Sequence, residues 1–519
     1  MADAFLRRDW EEAINGYFSP FYSWLLMIFL SIVKPSMYWK FFAVKVVNFL
    51  MYIISLIAFE VFLSEFIQYY YNKNLSKPSK DRYYLIPEWV WLVSGYILFS
   101  WSSLKLIGVD KDNPDMLVAA LVYLATAIVL RVHRRSDNWL NFISLGAILG
   151  LGYLSKTFMF PMSFIFLGIC FFSIRNHKLA IFKVLTALLV FSLITSPFIY
   201  ILSNSKGHLT FGDNGKLNYA WYISGMPSVY WQGEPPGSGS PKHPIKKIFD
   251  NPVIYEFGMH FNKTTYPIWY DSSYWFEGMK FKLNLPNQIN IILKNIIFYY
   301  QHFLGILLFS YLIIAAMSDK FLRSLKNLTE GWILLIPAGI GLTLYMLATN
   351  MPAAQPSMRY IAPFVVLLFA GVFSTVQIPN SQGSRRLITG ITLSTLILIS
   401  VQFTELWESP GEPIYWKVAQ GLNELGIHSG DKVSIIQLRG QNGTKDYWAR
   451  LAELTIIAEI PDTKSFWETD STTRSKIYEA IDRTGARAIV QKLGVDTPDY
   501  LSESGWRRIS NTNYYTYLF

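Results

Sequence analysis

Cysteine and histidine are scarce in this sequence. Cys170 is the single cysteine among 519 residues, so the chain cannot form an intrachain disulfide. Seven histidines are present, and His208, His243 and His260 fall in one long loop without the close spacing of a metal site. No cofactor is therefore expected, although the sequence leaves a divalent metal open. A Gly-rich phosphate loop is missing as well, which leaves nucleotide binding without a motif.

Charge is also scarce, at 16% of the residues, whereas hydrophobic residues make up 52%. This apolar content exceeds what a soluble core needs. Runs of about 17 to 25 apolar residues recur, the length at which a helix crosses the hydrocarbon core with its backbone polar groups satisfied. The sequence predicts a mostly α protein, a polytopic transmembrane helical bundle with about ten spans: 41–66, 89–107, 114–132, 139–154, 157–173, 179–202, 300–317, 331–348, 360–376 and 387–403.

The net charge of +10 comes from lysine and arginine in short loops between these spans. Such loops face the cytoplasm by the positive-inside rule, so the charge does not indicate nucleic-acid binding. We expect a multi-pass protein of the cell inner (plasma) membrane. The loops assigned to the cytoplasm are 72–82, 131–137, 174–178, 318–326 and 381–386.

The chain divides into three predicted regions. Residues 1–40 form an outer juxtamembrane segment, and residues 41–403 form the helical bundle, which includes a long outer loop at 203–294. Residues 410–519 alternate the β-rich runs "GIHSGDKVSIIQ", "LTIIAEI" and "RAIVQKL" with helical periodicity, which indicates a small α/β domain. Threading the spans alternately places this domain outside the cytoplasm.

Ionisable residues at the edge of a bilayer are functional candidates, because they are costly unless they line a cavity. In "DKDNPDMLVAALVYLA", Pro114 suits the first turn of a helix, and Asp115 would lie at the positively polarised helix N-terminus. Asp112 precedes it in the same loop. The structural alternative is a capping aspartate beside solvated loop charges.

Three further candidates lie, like Asp112 and Asp115, on the side of the membrane that is predicted to be outside the cytoplasm. Lys156 in "GLGYLSKTFMFPM" stands between two apolar helices, although a snorkelling lysine would have the same pattern. Arg359 and Tyr360 in "QPSMRYIAPF" stand at the start of a span. The planar donors of arginine suit a phosphate, but an Arg-Tyr pair is also an ordinary membrane anchor.

Four segments occur in a characteristic order, "GYFSPFYSWLL", "NPDMLVAALVYLA", "LGLGYLSKTFMFP" and "MRYIAPFVVLL". With them, the chain resembles the C-type membrane glycosyltransferases (GT-C). It resembles in particular the bacterial relatives of protein O-mannosyltransferases and of the aminoarabinose transferase that modifies lipid A. The resemblance covers roughly residues 1–403.

The resemblance implies transfer of a sugar from a polyprenyl-phosphate carrier to a lipid, glycan or protein hydroxyl outside the cytoplasm. Asp115 would occupy the second acidic position of the active site, with Asp112 as a further acidic candidate. Arg359, Lys156 and Tyr360 would contact the donor phosphate. The implied partners are the polyprenyl-phosphate sugar and its acceptor, within the membrane and without nucleic acid, and an outer lid of the family would match the loop 203–294.

The family's main catalytic carboxylate lies after a first transmembrane helix, shortly before the segment that "MADAFLRRDWEEAINGYFSP" resembles. The resemblance therefore implies that Met1 is an internal methionine of a longer protein. In the competing interpretation, residues 21–33 span the membrane, but about 13 residues are fewer than the roughly 17 required. The acidic residues near the start would be weak substitutes for the missing base: Asp3, Asp9, Glu11 and Glu12.

Other classes of function fit parts of the pattern. A multi-span transporter would also carry a few intramembrane charges, but such proteins usually place their sites near the midplane and show repeats. Here the candidates lie at one edge. A catalytically impaired truncated homologue and a non-enzymatic assembly or sensor protein are the remaining alternatives.

Overall fold

The structure is a computed structural model in which two compact units alternate along the chain. The first unit comprises Met1–Lys34, Phe42–Gly225 and Lys282–Trp407, and the second comprises Pro35–Phe41, Met226–Phe281 and Glu408–Phe519. The structure describes residues 1–75, 84–134, 138–258, 264–280, 282–316, 326–354, 357–378, 381–402, 414–436, 446–493 and 505–519. Parts of the predicted loops 72–82, 131–137, 203–294 and 318–326 lie outside these ranges, as does the junction 403–413.

Long apolar helices dominate the first unit and confirm the predicted fold class. Within the described residues, six helices are long and apolar enough to cross a membrane, so the chain is a multi-pass membrane protein. These spans are Trp39–Leu75, Glu88–Ile107, Asp115–Arg134, His177–Lys206, Leu285–Ile313 and Leu328–Ala348.

Within the described residues, four further apolar helices are shorter, and the prediction of about ten spans stays a prediction. Trp139–Ser155, Met159–Ser173 and Met358–Phe373 are apolar but have only 17, 15 and 16 residues. At about 1.5 Å per residue they are roughly 22 to 26 Å long, less than the hydrocarbon thickness of about 30 Å. Phe21–Val33, with 13 residues, is shorter still, and Gln382–Gln402 is not among the six.

Asp115–Arg134 is the central helix of the first unit. Of its apolar window, 83% is buried, against 28% for His177–Lys206. A helix that is apolar on all sides is stable only when neighbouring helices surround it. Its N-terminus therefore begins inside the bundle, and this position sets the surroundings of Asp115.

A glycine motif fixes the helix that carries Lys156 at its end. Gly146 and Gly150 of Trp139–Ser155 face the helix His177–Lys206. A Cβ atom added at Gly146 would lie 2.2 Å from the carbonyl oxygen of Ala187, so only glycine permits this approach. Small residues four apart are a common contact between membrane helices.

The second unit contains a seven-stranded sheet. The strands are β1 Lys246–Asp250, β2 Val253–Glu256, β3 Lys432–Ile436, β4 Thr455–Ile460, β5 Ala488–Lys492, β6 Trp506–Arg508 and β7 Tyr514–Leu518. Their order in the sheet is β1-β2-β4-β3-β5-β7-β6, in which the central pairs β4-β3 and β3-β5 are parallel and the outer pairs are antiparallel. The C-terminal helices are Ile414–Glu424, Tyr447–Leu451, Thr463–Trp467 and Ser471–Asp482.

The sheet also includes strands that precede the predicted C-terminal domain 410–519. Strands β1 and β2 come from the long loop 203–294, and β2 pairs with β4 through Tyr255 and Glu459. Ile254 of β2 is fully buried in the core of this unit. The loop therefore contributes to two units, because its central part completes an otherwise exposed sheet edge.

Candidate active site

Asp115 begins the central helix Asp115–Arg134. The side chain of Asn113 accepts a hydrogen bond from the Asp115 backbone N–H at 2.9 Å, and Val118 N–H donates to the carbonyl of Pro114 at 2.9 Å. Asn113 thus caps the helix, which leaves the Asp115 carboxylate available for other contacts. Its side chain is only 4% exposed.

Lys156 ends the helix Trp139–Ser155, where the chain becomes extended. Its Nζ lies 2.5 Å from Asp115 Oδ1. The helix packing at Gly146 and the break at Lys156 together direct the ammonium group to the N-terminus of the central helix. The structure thus brings Asp115 and Lys156 together as a partly buried ion pair.

Arg359 approaches the other oxygen of the same carboxylate. It lies in the first turn of Met358–Phe373, and its Nε is 3.2 Å from Asp115 Oδ2. Nε nevertheless has no hydrogen-bond partner among the described residues, because proximity alone does not align an N–H group. We interpret the contact as charge pairing that leaves a buried donor unsatisfied.

Tyr360 contacts both cations. Its hydroxyl accepts a hydrogen bond from Arg359 Nη2 at 3.1 Å, and its ring centre lies 4.0 Å from Lys156 Nζ. The Tyr345 ring stacks on the Tyr360 ring with 5.6 Å between the ring centres, and the Phe158 ring stacks on Tyr345 at 4.1 Å. This aromatic wall holds the cations through their attraction to the ring faces.

Asp112 has different surroundings. It is exposed, and its charge acts on Tyr22, whose hydroxyl donates to Asn48 Oδ1 at 2.8 Å. The adjacent Asp110 pairs with Lys111 at 2.7 Å. Burial opposes ionisation of Asp110, but the hydrogen bond and charge of Lys111 outweigh it and lower the pKa of Asp110. A catalytic role for Asp112 stays a prediction.

Tyr17 is a site residue that the sequence did not single out, although it lies in the segment "NGYFSP". Asn15 Oδ1 accepts from the backbone N–H of Tyr17 at 2.9 Å, and the Tyr17 ring packs on Trp221 at 5.7 Å. Burial raises the pKa of Tyr17, the nearby Tyr360 raises it further, and Arg359 opposes the shift. The N-terminal segment therefore lies near the ionic cluster, which consists of Asp115, Lys156 and Arg359 with Tyr360 beside them.

The acidic residues considered as substitute bases have structural roles where the contacts are described. Asp9 caps the helix Trp10–Ala13, and Glu12 pairs with Arg7. Of the loop histidines, His243 pairs with Glu277 at 2.9 Å, and His260 lies outside the described residues. Within the described ranges, no group of three or more His, Cys, Asp or Glu side chains could hold a metal ion.

The ionic cluster combines one carboxylate with two cations, so its formal charge is positive. Lysine has three N–H donors and arginine has five, so each can hold Asp115 and still bind a further oxygen. A positively charged, partly buried cluster with free donor capacity suits an anionic ligand, and phosphate fits the planar donors of Arg359.

Comparisons with known proteins match part of the chain to one family. Residues 89–201, which include Asp115 and Lys156, match the family model described as dolichyl-phosphate-mannose-protein mannosyltransferase. A comparison with curated proteins finds no match.

The solved structures that match the chain include two with TM-scores below 0.5. One is the archaeal oligosaccharyltransferase AglB from Archaeoglobus fulgidus in complex with an inhibitory peptide and a dolichol-phosphate, with a TM-score of 0.44 and 11% identity over 92% of this chain. The chain spans 62% of the length of that protein. The other is ArnT from Cupriavidus metallidurans bound to undecaprenyl phosphate, with a TM-score of 0.45 and 10% identity over 99% of this chain and 91% of ArnT. Residues 89–201 of the chain are therefore similar to the dolichyl-phosphate-mannose-protein mannosyltransferase family.

Proposed function

We propose that this protein is a membrane glycosyltransferase that transfers a sugar from a polyprenyl-phosphate donor to a hydroxyl group of a lipid, glycan or protein. The observation that carries the proposal is the contact of both Asp115 oxygens with cations, Lys156 at 2.5 Å and Arg359 at 3.2 Å. Two of these residues lie within the region that matches the mannosyltransferase family model.

In the proposed reaction, the acceptor oxygen forms a bond to the anomeric carbon of the sugar. The bond between that carbon and the phosphate oxygen breaks, and its electron pair leaves with the polyprenyl phosphate. A carboxylate takes the acceptor proton as general base, and we assign this role to Asp115, with Asp112 as the second acidic candidate.

Lys156 and Arg359 offset the charge that develops on the leaving phosphate. The unsatisfied Nε donor of Arg359 supports this assignment, because a phosphate oxygen would accept its hydrogen bond. Tyr360 fixes the two cations relative to each other. In this proposal no cofactor takes part, and the protein lies in the plasma membrane with its C-terminal domain outside the cytoplasm.

The test supplies labelled polyprenyl-phosphate sugars to membranes that contain the protein and measures which label is consumed. We expect Asp115→Asn and Arg359→Ala to reduce turnover at least a hundredfold, since loss of a general base or of one stabilising charge has effects of about that size. Asp110→Asn, an exposed loop acid, is the matched control and should retain turnover. Unchanged turnover in both site variants would remove the cluster from the reaction.

Two further measurements separate the alternatives. Uptake of sugar into proteoliposomes without sugar-lipid turnover would favour a transporter. Turnover measured with and without a chelator reports whether a divalent metal takes part.

A further inference from the structure

A groove of about 480 Å³ lies in the first unit, along the helix Leu285–Tyr299 and its continuation. Its walls are formed by apolar and polar residues: Ile297, Phe298, Pro352, Ala353, Lys294, Gln301 and Asn350. A volume of this size suits a small molecule or a lipid headgroup. None of these residues belongs to the ionic cluster around Asp115.

The groove borders an exposed apolar surface of a helix that is long enough to cross a membrane. The span Leu285–Ile313 is long and apolar enough to cross a membrane. Next to the groove, Leu293, Ile296 and Ile297 are 56%, 46% and 57% exposed. Exposed apolar side chains on a spanning helix contact lipid chains, so a molecule of the bilayer can enter the groove from the side.

Two polar features define what the groove can bind. Lys294 is exposed and cationic, so it favours an anion. Asn350 lines the groove, and its Oδ1 is buried without a hydrogen-bond partner in the described part of the chain. A buried acceptor without a partner is costly, and a ligand that donates a hydrogen bond would remove this cost.

The groove is also preformed. Asn295 is fully buried, and its Nδ2 donates to the carbonyl oxygens of Met346 and Thr349 at 2.8 and 2.7 Å. Its Oδ1 accepts from Met351 N–H at 2.8 Å. These bonds fix the segment around Asn350 against the helix, so binding would not require this segment to become ordered.

We propose that the groove binds an anionic phospholipid whose headgroup carries a hydroxyl group. The phosphate pairs with Lys294, the hydroxyl donates to Asn350 Oδ1, and an acyl chain lies along Ile297 and Phe298. The proposed sugar transfer does not require this site, so either proposal can fail without the other.

The test is native mass spectrometry of the full chain in detergent, titrated with phosphatidylglycerol, phosphatidic acid, phosphatidylcholine and inorganic phosphate. We expect phosphatidylglycerol to bind most tightly, because it combines the anion with headgroup hydroxyls. Lys294→Gln should weaken its binding about tenfold, and Asn350→Ala should weaken it several-fold. Lys294→Arg, which keeps the charge, should retain binding.

Lys178→Gln is the matched control, because Lys178 is an exposed lysine in the first turn of His177–Lys206 and does not line the groove. This substitution should leave binding unchanged. Equal affinity in the wild type and Lys294→Gln would overturn the proposal. Equal binding of phosphatidylcholine would also overturn it, as would competition by inorganic phosphate at the same concentration as the lipid. Thermal unfolding of each variant checks that it is folded.

Discussion

At the scale of single residues, Tyr360 has two separable roles in the ionic cluster. Its hydroxyl accepts a hydrogen bond from Arg359 Nη2, and its ring faces Lys156 at 4.0 Å. The first contact orients the guanidinium group, and the second holds the ammonium group through the ring. Substitutions that remove one or both contacts therefore distinguish positioning from simple burial.

We expect Tyr360→Phe, which keeps the ring, to raise the KM for the polyprenyl-phosphate sugar about tenfold, because a hydrogen bond to a charged group contributes about 1.5 to 3 kcal/mol. Tyr360→Leu also removes the ring and should raise KM about threefold more, since a cation–π contact contributes at least about 0.5 to 1 kcal/mol. Steady-state kinetics measure both. Equal KM values in the wild type and Tyr360→Leu would contradict the assignment.

Glu459 in the second unit is a buried carboxyl group with a different role. It is 4% exposed, and the Tyr266 hydroxyl donates to its Oε2. Burial raises the pKa of Glu459 above its ordinary value of 4.5, and hydrogen bonds from Tyr230 and Tyr266 oppose the shift. The unfolded carboxyl group therefore loses its proton at lower pH than the folded one. Stability consequently falls as pH rises from 4.5 through the raised pKa of the folded state.

Glu459→Gln removes this ionisation, so the variant should gain stability relative to the wild type as pH rises above 4.5. Hydrogen exchange of strand β4 in the full chain, compared at equal pH so that intrinsic rates cancel, measures the difference. Glu479→Gln, whose side chain is 65% exposed, is the control and should show no such trend. A constant difference from pH 4 to 8 would argue against the raised pKa.

At the scale of elements, the contact between Trp139–Ser155 and His177–Lys206 determines where Lys156 lies. The close approach depends on Gly146, because an added Cβ would lie 2.2 Å from a carbonyl oxygen and 2.9 Å from Val190 Cβ. Gly168 on the next helix, Met159–Ser173, has nothing within 4 Å of its position for a Cβ. Gly146 and Gly168 are therefore a matched pair of positions for substitution by alanine, one crowded and one open.

Gly146→Ala should destabilise the bundle by about 1 to 3 kcal/mol, the usual cost of overpacking. It should also reduce turnover, because the helix that ends at Lys156 must shift. Gly168→Ala should leave both properties unchanged. The measurements are the thermal unfolding midpoint in detergent and the turnover assay, and equal behaviour of the two variants would contradict the proposed role of Gly146.

At the scale of the whole molecule, the sheet of the second unit is built from two distant parts of the chain. Strands β1 and β2 belong to the loop between two membrane helices, whereas β3 to β7 belong to the C-terminal region. The backbone of β2 pairs with β4, and Phe257 N–H donates to the carbonyl of Ile457 at 2.8 Å. An isolated two-stranded hairpin is marginally stable in water, so the loop strands depend on the C-terminal strands.

Removal of all residues after Gln402 should therefore expose residues 226–281 to proteases, since β2 loses its partner β4. Limited proteolysis of membranes, compared with the full chain under the same conditions, measures this change. An unchanged cleavage pattern in 226–281 would show that the loop is ordered without the C-terminal strands. Sugar turnover by the truncated chain separately measures whether the C-terminal region is accessory to the reaction.

The sequence alone determined the helical bundle, because a chain in lipid must satisfy its backbone polar groups within each helix. It also predicted β3, β4 and β5, whose apolar runs are local features. Strands β6 and β7 were missed, although the Tyr-rich segment 514–518 favours a strand. The prediction of about ten spans stays a prediction for shorter apolar helices such as Met159–Ser173, because hydropathy does not fix where a helix begins and ends.

Only the tertiary structure decided which candidates meet. Sequence patterns placed Asp115, Lys156 and Arg359 on one side of the bundle, but their shared contact depends on three helix ends packing together. The pairing of β2 with β4 and the position of Tyr17 likewise depend on contacts between distant segments. Periodicity reports the surroundings of each segment, whereas such contacts are fixed by the packing of the whole chain.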